Sequence, residues 1–80
     1  MKKIIVTGGS GFIGSNLVNY LIKKRYYVIN IDKLTYSSNT YNKDKLPKNR
    51  YKFFKFDINN KIKLKNIIKK YKPECVFNIA

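Results

Sequence analysis

The chain has 80 residues, which is enough for one small domain and too few for a large enzyme. A hydrophobic fraction of 44%, with seven tyrosines and five phenylalanines, favours a packed fold over disorder. One cysteine and no histidine exclude an internal disulfide and a zinc site built from the usual ligands.

The formal net charge of +14 is typical of nucleic-acid-binding proteins, but the distribution of the basic residues argues against that function. Lysines are spread along the chain without a single block, and the only arginines are Arg25 and Arg50. Lysine is abundant together with Asn, Ile, Tyr and Phe, all of which have A/T-rich codons. We therefore attribute the charge to the base composition of the gene and to solvated surface positions.

The first half of the chain predicts two strands joined by a helix. The apolar run from Lys3 to Thr7 is typical of a strand buried on both faces. Tyr27 to Ile31 predicts a second such strand, followed by a polar loop with one short helical turn before Pro47. Between the strands, Gly11 to Lys24 predicts a helix that covers a sheet, with its apolar face formed by Ile13, Leu17, Val18, Leu21 and Ile22.

The second half continues the alternation. Tyr51 to Phe56 predicts a third strand, whose two lysines suit the edge of a sheet. Glu74 to Ala80 predicts a fourth strand, in which Cys75 is expected to be a small buried hydrophobe rather than a nucleophile. Between them, Asn60 to Lys72 predicts a helix with an apolar face formed by Leu64, Ile67, Ile68 and Tyr71.

This β-α-β-β-α-β order predicts an α/β fold with a Rossmann-type parallel sheet in strand order 3-2-1-4. The sheet is expected to be incomplete, because a parallel sheet needs both faces covered and only two helices are predicted. Ala80 would also leave an exposed apolar edge strand. We therefore expect residues 1–80 to be an N-terminal fragment of a longer protein.

Four glycines follow the first predicted strand, in the segment Val6 to Ser15, "VTGGSGFIGS". They satisfy both Gly9-x-Gly11-x-x-Gly14 and Gly8-x-x-Gly11-x-x-Gly14, in a strand-to-helix context. Gly8 is expected to permit a tight turn, Gly11 to let a pyrophosphate approach the backbone, and Gly14 to let helix and strand pack closely. The pattern predicts a dinucleotide site, and the alternative is a strand-to-helix turn without a ligand.

Asp32 stands at the end of the second predicted strand, directly after Ile31, where dinucleotide-binding folds carry a carboxylate about 20 residues after the glycines. That carboxylate would accept hydrogen bonds from the adenosine ribose and repel a 2′-phosphate. The expected cofactor is therefore NAD rather than NADP, although Lys33 beside Asp32 weakens that inference. On this interpretation residues 1–80 are the N-terminal part of an NAD(P)-binding Rossmann domain, without the rest of that domain or a substrate domain.

Four segments, "VTGGSGFIGSNLV", "NIDKLTYSSN", "FDI" and "KPECVFNIA", resemble in order and spacing the N-terminal part of the extended short-chain dehydrogenase/reductase family of NAD-dependent epimerases and dehydratases. Within this family, the segment from Asp32 to Tyr36, "DKLTY", is most similar to that of the 4,6-dehydratases that act on dTDP-glucose. The resemblance assigns cofactor contacts as follows: Phe12 and Ile13 near the pyrophosphate; Asp32, Lys33, Leu34 and Thr35 around the adenosine ribose; Asp57 and Ile58 beside the adenine; Ile79 and Ala80 beneath the cofactor.

The resemblance further implies conversion of dTDP-glucose to dTDP-4-keto-6-deoxyglucose for cell-surface polysaccharide synthesis, by a homodimer. The sequence has no apolar run long enough for a membrane span and no signal-peptide pattern, so a cytoplasmic protein without membrane partners is expected. The spread of the lysines predicts no nucleic-acid partner. Bound NAD⁺ would take a hydride from the sugar C4, water would leave across C5 and C6, and the hydride would return to C6. No catalytic or metal-binding residue is identified. Tyr20-x-x-x-Lys24 matches the family's catalytic pattern formally, but its place in the first helix makes this a coincidence. The 80 residues alone are therefore expected to be inactive.

Several alternatives stay open. The same motifs fit a UDP-sugar 4-epimerase or another NAD-dependent sugar-nucleotide dehydratase. From other classes, the chain could be a non-catalytic NAD-binding regulatory module or a basic nucleic-acid binder. Locally, Asp57 could cap the following helix instead of contacting adenine, and Asn59 or Asn60 could equally be the cap.

Overall fold

The chain forms a parallel β-sheet with a helix on each face. The computed structural model describes residues 1–33 and 46–79. The predicted cofactor contacts Leu34, Thr35 and Ala80 lie outside those residues, and the predicted helical turn before Pro47 lies partly outside them. The elements in chain order are β1 (Lys3–Thr7), α1 (Phe12–Lys23), β2 (Tyr27–Ile31), β3 (Tyr51–Phe54), α2 (Lys61–Tyr71) and β4 (Cys75–Asn78).

The spatial order of the four strands is β3-β2-β1-β4, and all neighbours are parallel, which confirms the predicted fold class and strand order. β1 is central: its last residue, Thr7, is in register with Ile31 of β2 and with Asn78 of β4. The Thr7 hydroxyl donates a hydrogen bond to Asn78 Oδ1 at 2.7 Å. The carboxyl ends of the strands therefore meet at one edge, where the chain direction across the sheet reverses between β1 and β4.

Two apolar clusters hold the helices against the sheet. Because side chains alternate along a strand, successive residues of β1 and β2 enter opposite clusters, and this explains their continuous apolar runs. The cluster on the α1 side consists of Ile4, Val6, Val18, Leu21, Ile22, Val28, Leu46 and Tyr51. The cluster on the α2 side consists of Ile5, Ile29, Ile31 and Ile67.

The apolar faces of both helices are narrower than predicted. Ile13 is 66% exposed and Ile68 is 40% exposed, so neither belongs to the buried core as expected. Ile13 lies in the first turn of α1, beyond the end of the strands, where no sheet residue can cover it. Ile68 lies beside the buried Ile67, and only one of these neighbours can point directly at the sheet.

The edge strands also differ from the sequence prediction. β3 ends at Phe54, two residues before the predicted end, and leaves Lys55 outside the strand. Every residue of β4 is exposed, including Cys75, so the prediction that this cysteine is a buried hydrophobe was wrong. The reason is that neither described helix contributes to a core over β4.

The two described helices are shorter than a membrane-spanning helix. α1 has 12 residues and α2 has 11, and among the described residues neither is long enough to cross a membrane.

The C-terminus of α1 contains a strained residue that offers a stability test. Arg25 has a φ of 71°, in the left-handed region, and the N–H of Tyr26 donates to the carbonyl of Leu21 in a Schellman motif that normally carries glycine. We expect Arg25→Gly to raise the free energy of unfolding of the whole protein by about 1 kcal/mol, measured by urea denaturation. Lys24→Gly is the matched control, because Lys24 has a φ of −84° and should gain nothing. No gain at position 25 would contradict the assigned strain.

Candidate dinucleotide-binding site

A cavity of about 760 Å³ opens at the edge where the carboxyl ends of the strands meet, the usual ligand position in open α/β sheets. Its wall combines the loop after β1 with residues that follow the other three strands. The predicted cofactor-binding residues that line it are Gly8, Gly11, Phe12, Ile13, Gly14, Asp32, Lys33, Asp57, Ile58 and Ile79. Ile31, Phe56 and Asn59 also line it, although the sequence analysis did not assign them to the cofactor.

At two positions of the glycine-rich segment, Gly8 and Gly14, the backbone itself excludes a side chain. Gly8 has a φ of 80°, which is the backbone conformation that the predicted tight turn requires. A Cβ on Gly14 would lie 2.1 Å from the carbonyl oxygen of Gly8. These two glycines therefore allow the loop to fold back tightly onto the first turn of α1.

Gly11 needs a different explanation. It is the N-cap of α1, with φ −80° and ψ −179°, an extended conformation that any residue adopts. No side chain among the described residues caps this helix end, and its first turn contains no acidic residue. The first N–H groups of a helix have no partner within the helix, and the helix dipole is positive there. Since Gly11 to Gly14 line the cavity, this end of α1 presents donors suited to an anionic group.

Asp32 connects the end of β2 to the loop. It is only 5% exposed, and its Oδ2 accepts a hydrogen bond from the N–H of Ser10 at 3.0 Å. Its own N–H donates to the carbonyl of Phe54 in β3. Asp32 is therefore held in the cavity wall on two sides, its carboxylate by the loop and its backbone by β3.

Asp57 lies on another part of the wall and is paired with a lysine. Its Oδ2 is 3.4 Å from Lys33 Nζ, and its Oδ1 accepts from the N–H of Asn59 at 2.8 Å. That backbone N–H, and secondarily the Lys33 charge, hold the pKa of Asp57 below its ordinary value. Asp57 does not cap α2: the cap is Asn60, whose Oδ1 accepts from the N–H of Lys63.

Two of the four acidic residues of the chain, Asp32 and Asp57, line this cavity, although the chain has 18 basic residues. By contrast, Tyr20 and Lys24 lie at the opposite end of α1 from the cavity, where the lysine Nζ is 5.5 Å from the tyrosine ring centroid. The formal catalytic pattern is therefore outside the site.

Asn30 is a buried polar residue behind the glycine-rich loop that the sequence analysis missed. It is fully buried in β2, and its Oδ1 accepts from the N–H of Gly9 at 2.9 Å. Its Nδ2 donates to Ser10 Oγ at 3.1 Å and to the Tyr51 hydroxyl at 3.0 Å. The available signal was an asparagine inside the apolar run "YVINI", because a polar residue in a buried strand must find partners.

Known proteins share both the sequence and the geometry of this region. The dTDP-glucose 4,6-dehydratase of Haemophilus influenzae is 48% identical over the whole chain, which covers 24% of that protein. A crystal structure of dTDP-glucose 4,6-dehydratase from Bacillus anthracis in complex with NAD superimposes with a TM-score of 0.90 and 40% identity, over 100% of this chain and 27% of that one. The UDP-glucose 4-epimerase of Thermotoga maritima, solved with UDP-glucose, superimposes with a TM-score of 0.79 and 35% sequence identity. The match covers 98% of this chain and 24% of the epimerase chain.

The chain thus spans about a quarter of the length of the curated relatives that it matches. A sequence model of the family described as GDP-mannose 4,6 dehydratase matches residues 5–80, from the third residue of β1 onward. That match includes the glycine-rich loop, Asp32 and Asp57. The chain belongs to this family.

Proposed function

We propose that the cavity binds NAD and that the whole protein is a dTDP-glucose 4,6-dehydratase, which converts dTDP-glucose to dTDP-4-keto-6-deoxyglucose. The observation that carries the proposal is the uncapped N-terminus of α1, opening onto a cavity in which Asp32 is also fixed. An anion-binding helix end and a carboxylate acceptor on one wall match the pyrophosphate and the ribose of a dinucleotide. The 48% identity to a dTDP-glucose 4,6-dehydratase supports the substrate.

The described residues fit the cofactor part by part. The backbone from Gly11 to Ile13 would hold the pyrophosphate, and Asp32 with Lys33 would hold the adenosine ribose. Asp57 and Ile58 would lie beside the adenine, with Ile79 beneath the cofactor. Leu34, Thr35 and Ala80 belong to the proposed contacts by family resemblance alone.

The preference for NAD over NADP follows from charge. A 2′-phosphate beside Asp32 would place two negative groups next to each other. Because Asp32 is only 5% exposed, solvent would screen their repulsion weakly. Lys33 is the cation that could offset this repulsion, but its ammonium is already paired with Asp57. The cavity therefore favours a ribose with free hydroxyl groups.

The division of labour in the whole protein is also a proposal. Residues 1–80 act as the N-terminal part of an NAD(P)-binding domain, and they bind and orient the cofactor. When bound, NAD supplies hydride acceptance and return at the sugar. Acid-base groups and the substrate domain are supplied by residues outside this segment. A homodimeric state and a cytoplasmic location rest on the family resemblance.

The first experiment measures binding and reaction of the whole protein separately. Isothermal titration should give a dissociation constant for NAD at least tenfold lower than that for NADP. Incubation with dTDP-glucose should then produce the 4-keto-6-deoxy sugar, which is detected by mass loss of one water. Absence of NAD binding would overturn the cofactor proposal. NAD binding without loss of water from dTDP-glucose would overturn the dehydratase assignment alone.

A UDP-glucose 4-epimerase is the second candidate, favoured by the superposition on the Thermotoga maritima enzyme. The same incubation with UDP-glucose distinguishes the two. An epimerase yields a product of unchanged mass with inverted C4, whereas a dehydratase yields none of it.

A further inference from the structure

We propose that Asn30 is a positioning residue of the nucleotide site, because its buried side chain fixes the glycine-rich loop and so aims the backbone N–H groups at the start of α1. This inference rests on the proposed NAD function. Asn30 touches no bound group itself and acts through Gly9 and Ser10.

The side-chain amide of Asn30 both accepts and donates hydrogen bonds. The oxygen accepts from the N–H of Gly9, and the nitrogen donates to Ser10 Oγ and to the Tyr51 hydroxyl. At zero exposure no solvent competes for these groups, so each bond lost would leave a buried polar atom unsatisfied. Only a primary amide combines one acceptor with two donors in this way.

Strand geometry explains why this residue can reach the loop. Asn30 and Asp32 are two positions apart in and after β2, so both point to the α1 side of the sheet. Asp32 accepts from the N–H of Ser10, and Asn30 accepts from the N–H of the preceding residue, Gly9. Two successive loop N–H groups are thus bound by two side chains from one face of β2.

The path from this network to the ligand is short. Ser10 directly precedes Gly11, the N-cap of α1, and the first turn of the helix packs on the loop through Gly14. A loop that shifts away from β2 therefore changes the direction of the helix N–H groups that would bind the pyrophosphate. The proposed adenosine contacts, Asp32 and Asp57, follow β2 and β3 rather than the loop, so adenosine binding would depend less on that direction.

The space around Gly9 is limited by the same contact between the loop and Asn30. A Cβ at this position would lie 2.4 Å from Asn30 Oδ1 and 2.6 Å from its Cγ. Gly9 does not have a positive φ, so the backbone itself accepts alanine. The requirement for glycine at position 9 comes from the side chain of Asn30.

The test compares ADP with adenosine, because the difference between their affinities isolates the pyrophosphate. In the whole protein, Asn30→Ala should weaken binding of ADP and NAD by about tenfold, with adenosine changed by less than about twofold. Asn66→Ala, the same substitution on the exposed face of α2, should leave both affinities unchanged. Equal losses for ADP and adenosine would indicate a general structural defect and would overturn the positioning role.

A double-mutant cycle tests the contact directly. Gly9→Ala should weaken ADP binding by more than about tenfold in the wild-type background and by less than about threefold in the Asn30→Ala background. Additive effects would show that Gly9 and Asn30 do not act on each other, and would overturn the inference.

Two outcomes separate this inference from the proposed function. If the wild-type protein binds neither NAD nor ADP, the function itself fails and the inference falls with it. If the wild type binds NAD and Asn30→Ala binds it equally well, only the inference fails. Should Asn30→Ala not fold, Ser10→Ala removes the loop acceptor of the Asn30 amide alone. It should weaken ADP by about threefold without affecting adenosine, and unchanged ADP binding would overturn the inference.

Discussion

Replacing Gly14 with alanine is expected to eliminate measurable NAD binding and to lower the free energy of unfolding by about 2 kcal/mol. The added Cβ would lie 2.1 Å from the carbonyl oxygen of Gly8 and 2.7 Å from the Cα of Gly9. Both are backbone atoms, so no side chain can rotate away. The helix must separate from the loop, and the donors at its N-terminus then no longer face the cavity.

The measurement combines urea denaturation with NAD titration of the whole protein. Asn19→Ala is the matched control: it places the same residue on an exposed position of α1 and should be neutral or slightly stabilising. A Gly14→Ala protein with wild-type stability and affinity would show that the loop and helix can separate without consequence, contrary to the close packing described above.

Asp32→Asn is expected to weaken NAD binding by about 10- to 100-fold, because hydrogen bonds from the ribose hydroxyls to a carboxylate become bonds to a neutral amide. The loss should be smaller for NADP, since removing the negative charge also removes its repulsion of the 2′-phosphate. The ratio of the two dissociation constants should therefore move toward one. Isothermal titration with both nucleotides measures this ratio.

Glu74→Gln provides the control for charge alone. It makes the same change from acid to amide at an exposed position before β4, at the opposite end of that strand from the cavity. We expect no change in either dissociation constant. A ratio that stays constant in Asp32→Asn would contradict the proposed role of Asp32 in selecting NAD.

The parts of this fold that follow from local periodicity were predictable from the sequence. β1 and β2 are apolar at consecutive positions because both faces are covered, and that pattern identifies central strands of a parallel sheet without any structure. The strand order 3-2-1-4 was then expected from the doubly wound fold that such an alternation of strands and helices indicates. The glycine spacing and Asp32 located the cavity for the same reason, since both follow directly after such strands.

The failed predictions concern residues whose environment depends on distant parts of the chain. Cys75 lies in an apolar run typical of a buried strand. Burial of β4 depends on other elements that pack over it, and the sequence pattern of β4 contains no information about them. Ile13 continues the helical pattern of α1 into a turn that extends past the sheet. Asn30 was overlooked because its partners, Gly9, Ser10 and Tyr51, are about 20 positions away and no pattern links them.

The central position of β1 has a consequence for biosynthesis. The Thr7 side chain is bonded to Asn78, 71 positions further along the chain, so the edge of β1 that pairs with β4 stays unpaired until β4 emerges from the ribosome. At roughly 5–20 residues per second, translation of that interval takes on the order of 4 to 14 seconds. During this time the unpaired backbone N–H and C=O groups on that edge of β1 are open to other nascent chains. Slow codons or chaperone contacts within this window would affect the yield of folded protein more than the same events later in translation.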